Sequence, residues 1–117
     1  MTRPIYGVKA DFFKTLGHPA RIRVLEILRD GERSVAEMMP LVGLEQSHLS
    51  HQLAVLRRGG IVRSRKERAT VLYSVIDPRT FHLLETAKEI IATSLSESRD
   101  LLKDLDEISF ETLSGDA

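Results

Sequence analysis

The sequence predicts a mainly α-helical chain with a small β-hairpin, and three observations carry that prediction. Helix start and stop signals recur at close spacing through residues 7–58. Directly after Gly59-Gly60 the residue pattern turns from helical to extended. From Arg79 to about Ile108 neither glycine nor proline interrupts an apolar stripe. Five helices and a two-stranded hairpin follow.

The first helix is expected from about Gly7 to Leu16, with Phe12, Phe13 and Leu16 apolar. Pro19 suits the first position of a second helix that carries Ile22, Val24, Leu25, Ile27 and Leu28 and ends at Gly31. His18, beside Pro19, reads as a residue that starts this helix rather than as a ligand. Ser34-Val35-Ala36-Glu37 has the spacing of a capping box, so a short third helix starts at Ser34 and ends near Gly43. A fourth follows within a few residues, from Gln46 or Ser47 to Arg58. Two helices joined by a brief glycine-containing turn make a helix-turn-helix.

The fourth helix is the most informative element. With Leu49, Leu53 and Leu56 as its buried stripe, Ser47, His51, Ala54 and Arg58 fall on the outer side, flanked by Ser50 and Arg57 and by His48 and Val55. Small and hydrogen-bonding residues let a helix approach base edges, and arginines meet phosphate, so this face suits a DNA major groove. An ordinary solvated helix surface is the bland alternative, and the flanking segments weigh against it. Ile61–Lys66 and Thr70–Ile76 read as two short strands around a tip at Lys66-Glu67-Arg68-Ala69, which holds no glycine to define its turn type. A basic hairpin after a recognition helix is a wing, with Arg65, Lys66 and Arg68 placed to reach phosphates or the adjoining minor groove.

Charge distribution supports that reading. The formal net charge is zero, yet residues 1–76 carry 13 Lys and Arg against 7 Asp and Glu, and residues 77–117 carry 4 against 10. Residues 57–68 alone hold Arg57, Arg58, Arg63, Arg65, Lys66 and Arg68 against Glu67. Such a cluster is the electrostatic footprint of a phosphate-contacting face, and the acidic half should point away from a polyanion.

Asp77-Pro78 reads as the N-cap and first position of the last helix. About thirty helical residues span roughly 45 Å, more than a domain this small can cover. A second copy of the chain is the simplest cover, a bent or broken helix folding back on its own domain being the alternative, and Phe12 and Leu16 of the first helix with Phe81, Leu84, Ile91 and Leu95 of the last are the expected dimer interface. The organisation expected is one domain over residues 1–110 and a disordered tail over 111–117.

Composition narrows the chemistry. At 117 residues the chain is small for an elaborate enzyme. With no cysteine, disulfides, thiolate metal sites and cysteine nucleophiles are excluded. The N-terminal residues lack the pattern of a signal peptide and no segment reaches membrane-span length, so a soluble cytoplasmic protein is expected. Ser47, Ser50, His48 and His51 lack an orienting acid and an oxyanion pocket, which argues against catalysis.

Phe13-Lys14-Thr15-Leu16-Gly17-His18-Pro19-Ala20-Arg21-Ile22-Arg23-Val24-Leu25, then residues 50–62 and the Val71-Leu72-Tyr73-Ser74 strand, resemble the ArsR/SmtB family of bacterial winged-helix repressors. The resemblance covers about residues 8–85. It implies a homodimer built from the first and last helices, bound to an imperfect inverted repeat in an operator and released by an inducer. It further implies that Gln46, Ser47, His48, Ser50 and His51 include the base-reading positions. The family's two best-known metal sites are absent: Ser34-Val35-Ala36 stands where thiolate sensors have Cys-x-Cys. Of the last-helix set only Asp77 matches, the other positions being Arg79, Ile90 and Thr93.

His82, Glu85 and Glu89 share a face of the last helix, and imidazole with carboxylates would suit zinc or nickel as an effector. A solvated helix surface is the favoured reading, so no metal site is assigned and no cofactor is required. A winged-helix module acting through a partner protein is the alternative function. The six clustered cations beside the recognition helix favour DNA.

Overall fold

The computed structural model describes residues 3–115, with side chains through residue 107. The chain divides into two compact units after Phe81.

In the first unit, α1 (Ile5–Leu16) starts two residues before the expected Gly7, because the Pro4 carbonyl accepts from the backbone N–H groups of Gly7 and Val8. An Arg3–Asp11 ion pair spans its first turns. α2 (Pro19–Leu28) has Pro19 in its first turn and His18 as N-cap, the His18 Nδ1 accepting from Ala20 N at 3.0 Å. His18 therefore satisfies one of the N–H groups that a helix start leaves without a partner.

Gly31, at φ +129°, turns the chain into β1 (Arg33–Ser34). Ser34 also caps α3 (Val35–Val42). Its Oγ accepts from Glu37 N at 3.2 Å, and Glu37 Oε1 accepts from Ser34 N at 3.1 Å, which completes the expected capping box. Gly43, left-handed at φ 77°, stops α3, and the recognition helix α4 (Gln46–Arg58) follows three residues later.

β2 (Val62–Glu67) and β3 (Thr70–Val75) form the expected hairpin, with Val62 paired to Val75 and Glu67 to Thr70. The sheet is three-stranded, in the order β1-β3-β2, where the sequence led us to expect two strands. Arg33 pairs with Tyr73 and Ser34 with Leu72; two residues are too few for alternation to show, and their partners lie almost forty positions away. The hairpin tip is also tighter than expected. Lys66 and Glu67 belong to β2, which leaves Arg68 and Ala69 as the loop, and Arg68 takes the left-handed φ of 57° that glycine or asparagine ordinarily supplies.

The core of this unit joins Val24 and Leu25 of α2, Met38 of α3, Leu49, Leu53 and Leu56 of α4 and Val62 of β2, all fully buried. Each large side chain contributes about 1.5–3 kcal/mol by leaving water. The recognition helix is thereby anchored along the stripe that its leucine spacing predicts, and its opposite face is fixed outward.

The last helix, α5 (Arg79–Gly115), continues beyond the expected end near Ile108. Of the expected disordered tail, residues 116–117 lie outside the described residues. In the second unit Ile90, Ile91, Leu95, Leu101, Leu102 and Leu105 are exposed. Of the residues expected at a dimer interface, Leu16 is buried, Phe12, Phe81 and Leu84 are half-buried, and Ile91 and Leu95 are exposed.

Candidate nucleic-acid interface

The outer surface of α4 follows from its inner one. Because Leu49, Leu53 and Leu56 point into the core, Ser47, His48, Ser50, His51 and Arg58 stand exposed, and Gln46 and Arg57, closer to the leucine stripe, are exposed at the two ends of the helix. Arg63, Arg65, Lys66 and Arg68 of the hairpin are exposed as well. All eleven residues read from the sequence as DNA contacts therefore lie on the surface of one compact unit. Recognition helix and wing are joined through Arg57, whose Nη1 donates to Ser64 Oγ of β2 at 3.3 Å.

The cations of the wing are not equivalent. Arg65 donates from Nε to Glu32 Oε2 at 2.9 Å and to Glu32 Oε1 at 3.2 Å, pairs with Glu32 again through Nη2, and donates from Nη2 to Glu67 Oε2 at 3.0 Å. These hydrogen bonds hold the Glu32 carboxyl below the usual carboxylate range and raise the Arg65 guanidinium further. Two carboxylates thus occupy the donors that a phosphate would use. No local pattern foretells this pairing, since Glu32 and Arg65 lie 33 positions apart.

A second network supports α4 from behind. Arg21 of α2 donates from Nε to Thr15 O at 2.6 Å and from Nη2 to Lys14 O at 3.3 Å, so a cation satisfies carbonyls at the α1 C-terminus, where the helix dipole favours positive charge. Its Nη1 donates to Gln52 Oε1 at 2.9 Å. Gln52 belongs to α4 but is only 4% exposed. Sequence reasoning overlooked both residues. The available signal was a glutamine on the inner stripe, between Leu49 and Leu56, since a buried amide needs a hydrogen-bond partner.

The two glycines that end α4 have different causes. A Cβ on Gly59 would sit 2.7 Å from Thr15 Cγ2, so Gly59 is required by the closeness of α1. Gly60 has open space around it but a φ of +74°, so it is required by backbone conformation.

Asp77 caps the start of α5, accepting from Arg79 N at 3.0 Å, and both its oxygens also accept from the Arg79 guanidinium at 2.7–3.2 Å. These bonds hold its pKa down to about 2. Its carboxylate is thus engaged by a neighbouring cation. Among the described residues no three His, Asp or Glu side chains gather at metal-binding spacing, and no helix is long and apolar enough to cross a membrane.

A family profile described as "Bacterial regulatory protein, arsR family" matches residues 18–64, the segment from the α2 cap to the middle of β2. The HTH-type transcriptional regulator Rv0081 of Mycobacterium tuberculosis is 48% identical over 105 residues, covering 89% of this chain and 92% of that protein. Its crystal structure superposes with a TM-score of 0.75, covering 82% of this chain and 97% of that one. A biofilm growth-associated repressor of Xylella fastidiosa is 36% identical over 84 residues, 72% of this chain and 74% of its own. The homodimeric winged helix-turn-helix DNA-binding domain of Mb0332 from Mycobacterium bovis matches at 26% identity and a TM-score of 0.66, covering 73% of this chain and 82% of that one.

The fold, the family profile and these relatives together define a winged-helix transcriptional regulator. The chain belongs to the arsR family of bacterial regulatory proteins.

Proposed function

We propose that this protein is a homodimeric, sequence-specific repressor that binds an inverted repeat in an operator and is released from it by an effector. The observation that carries the reading is the joint exposure of the α4 outer face and the basic hairpin on one unit, with α4 anchored by three fully buried leucines. In this reading Ser47, His48, Ser50 and His51 reach base edges, while Arg57, Arg58, Arg63, Lys66 and Arg68 neutralise phosphates. The exposed apolar residues of α1 and α5 supply the dimer contact, which presents two recognition helices to two half-sites. The name of the Xylella relative supports repression, and the homodimeric Mb0332 domain supports pairing. The site of action is the cytoplasm, where a bacterial operator lies.

Zinc and nickel are the metals to titrate as effectors, given His82, Glu85 and Glu89 on one face of α5, with further ligands drawn from a second copy. A small organic inducer is the alternative effector.

Selection from a pool of randomised duplexes tests the proposal. Repeated capture and sequencing should enrich an inverted repeat with half-sites about one helical turn apart. Recovery of sequences no different from the input would refute it.

A further inference from the structure

We infer that Arg21 and Gln52 form a positioning pair that sets the orientation of the recognition helix against the end of α1, and thereby controls sequence discrimination rather than DNA affinity in general. The inference rests on the DNA-binding reading above. Arg21 bonds three backbone and side-chain oxygens on two other helices: Lys14 O and Thr15 O of α1, and Gln52 Oε1 of α4. A planar guanidinium with donors in fixed directions holds such partners at a set angle, which an ammonium on a flexible stem does not.

The same α1 residue meets α4 a second time. Thr15 lies against the Gly59 end of the helix so closely that a Cβ there would come within 2.7 Å. The recognition helix is therefore held to the α1 terminus at Gln52, near its middle, and at Gly59, its C-cap. Two points fix a direction. A helix free to rotate about its leucine stripe would still offer arginines to phosphate, but its serines and histidines would no longer meet particular base edges. Gln52 is only 4% exposed, so any effect of changing it on base recognition must pass through the placement of α4.

The test compares full-length wild type, Arg21→Met, Arg21→Lys, Gln52→Met and the Arg21→Met/Gln52→Met double variant. Each is titrated by fluorescence anisotropy against a duplex enriched from the randomised pool and a scrambled control, with circular dichroism confirming the fold. Gln52→Met is near-isosteric and places an apolar side chain in a buried position, so it is the variant that keeps the fold. The expected result is a loss of about tenfold in the ratio of specific to scrambled affinity for each Met variant, the size of one misaligned base contact. Scrambled binding should stay within about twofold of wild type, as phosphate contacts persist. Arg21→Lys should recover only part of the ratio, and the double variant should be no worse than the singles. A folded Gln52→Met that discriminates as wild type does overturns the inference alone. A wild type that binds both duplexes equally overturns the DNA-recognition reading and the inference with it.

Discussion

Arg65 on β2 reaches across β3 to engage both carboxylate oxygens of Glu32, the residue that leads into β1. The pair is half-exposed, so water screens it and it adds little to folding. Its larger effect is on the wing, where a carboxylate competes with phosphate for one guanidinium. Glu32→Gln should tighten binding to every duplex and steepen the dependence of log K on log salt by up to about 0.9, the value of one further phosphate contact. Arg65→Ala should instead flatten it or leave it unchanged. Anisotropy titrations across a salt series distinguish the two, and a Glu32→Gln slope equal to wild type would show that Arg65 stays with Glu67 or serves the sheet alone.

Gly59→Ala and Gly60→Ala should both destabilise the protein, for separable reasons. The first pushes a methyl group into Thr15, so the Thr15→Ala background should restore most of the loss, which is about 1–3 kcal/mol for overpacking. The second strains a left-handed residue by about 1–2 kcal/mol, and no change at Thr15 should relieve it. Urea denaturation of the two singles and two doubles gives the comparison.

Arg68 carries backbone strain at the tip of the wing. Arg68→Asn and Arg68→Gly should each raise stability by up to about 1 kcal/mol in thermal denaturation. Both should weaken DNA binding, since a wing cation is lost. A stability gain joined to an affinity loss would show that strain at the hairpin tip is retained for the charge it presents.

Asp77 makes part of the stability depend on pH. Its pKa is lowered to about 2 by the Arg79 side chain first and by the Arg79 backbone N–H second. A carboxyl with a depressed folded-state pKa stabilises the fold fully above its unfolded value, near 3.9. That stability is lost as pH falls through the folded value near 2. Asp77→Asn keeps a side-chain acceptor for the cap but removes the ion pair, so between about pH 2 and pH 4 its stability should change less steeply with pH than that of wild type. Parallel acid titrations followed by circular dichroism would show this, and identical slopes would mean that the pair is inert in solution.

How far the fold can be read from the sequence depends on the range of the interactions that make it. The Ser34–Glu37 capping box, Pro19 at the start of α2, and the leucine stripe of α4 are local signals, and each appears where the spacing places it. The third strand escapes notice because Arg33 and Ser34 become a strand only through Tyr73 and Leu72. The hairpin tip escapes because its left-handed residue is an arginine. On α4, the exposure of Ser47, His48, Ser50, His51, Arg57 and Arg58 followed from helical periodicity, whereas the wing cations were read from the charge of the hairpin. The partners that modulate them did not: Glu32 for Arg65 and Arg21 for Gln52 are pairs that only folding brings together.

The dimer reading has its own test. Ile91 and Leu95 are 58% and 62% exposed in the single chain, an arrangement that burial against a second copy would relieve. Sedimentation equilibrium should show a dimer at micromolar concentration, and Ile91→Asp/Leu95→Asp should weaken it while the first unit keeps its helical signal. Because two half-sites must be engaged together, that variant should also lose most of its specific affinity. A wild-type chain that sediments as a monomer would contradict the reading.

Base reading by α4 is decided by the affinity ratio between an enriched inverted-repeat duplex and its scrambled counterpart, measured near physiological salt for wild type, Ser47→Ala and His51→Ala. A sequence-specific repressor predicts a wild-type preference of about a thousandfold or more. Each substitution should reduce that preference by the about 1–3 kcal/mol of a lost base contact, with scrambled binding unchanged. Equal wild-type affinity for both duplexes, or a preference untouched by both substitutions, would contradict the assignment of base reading to the outer face of α4.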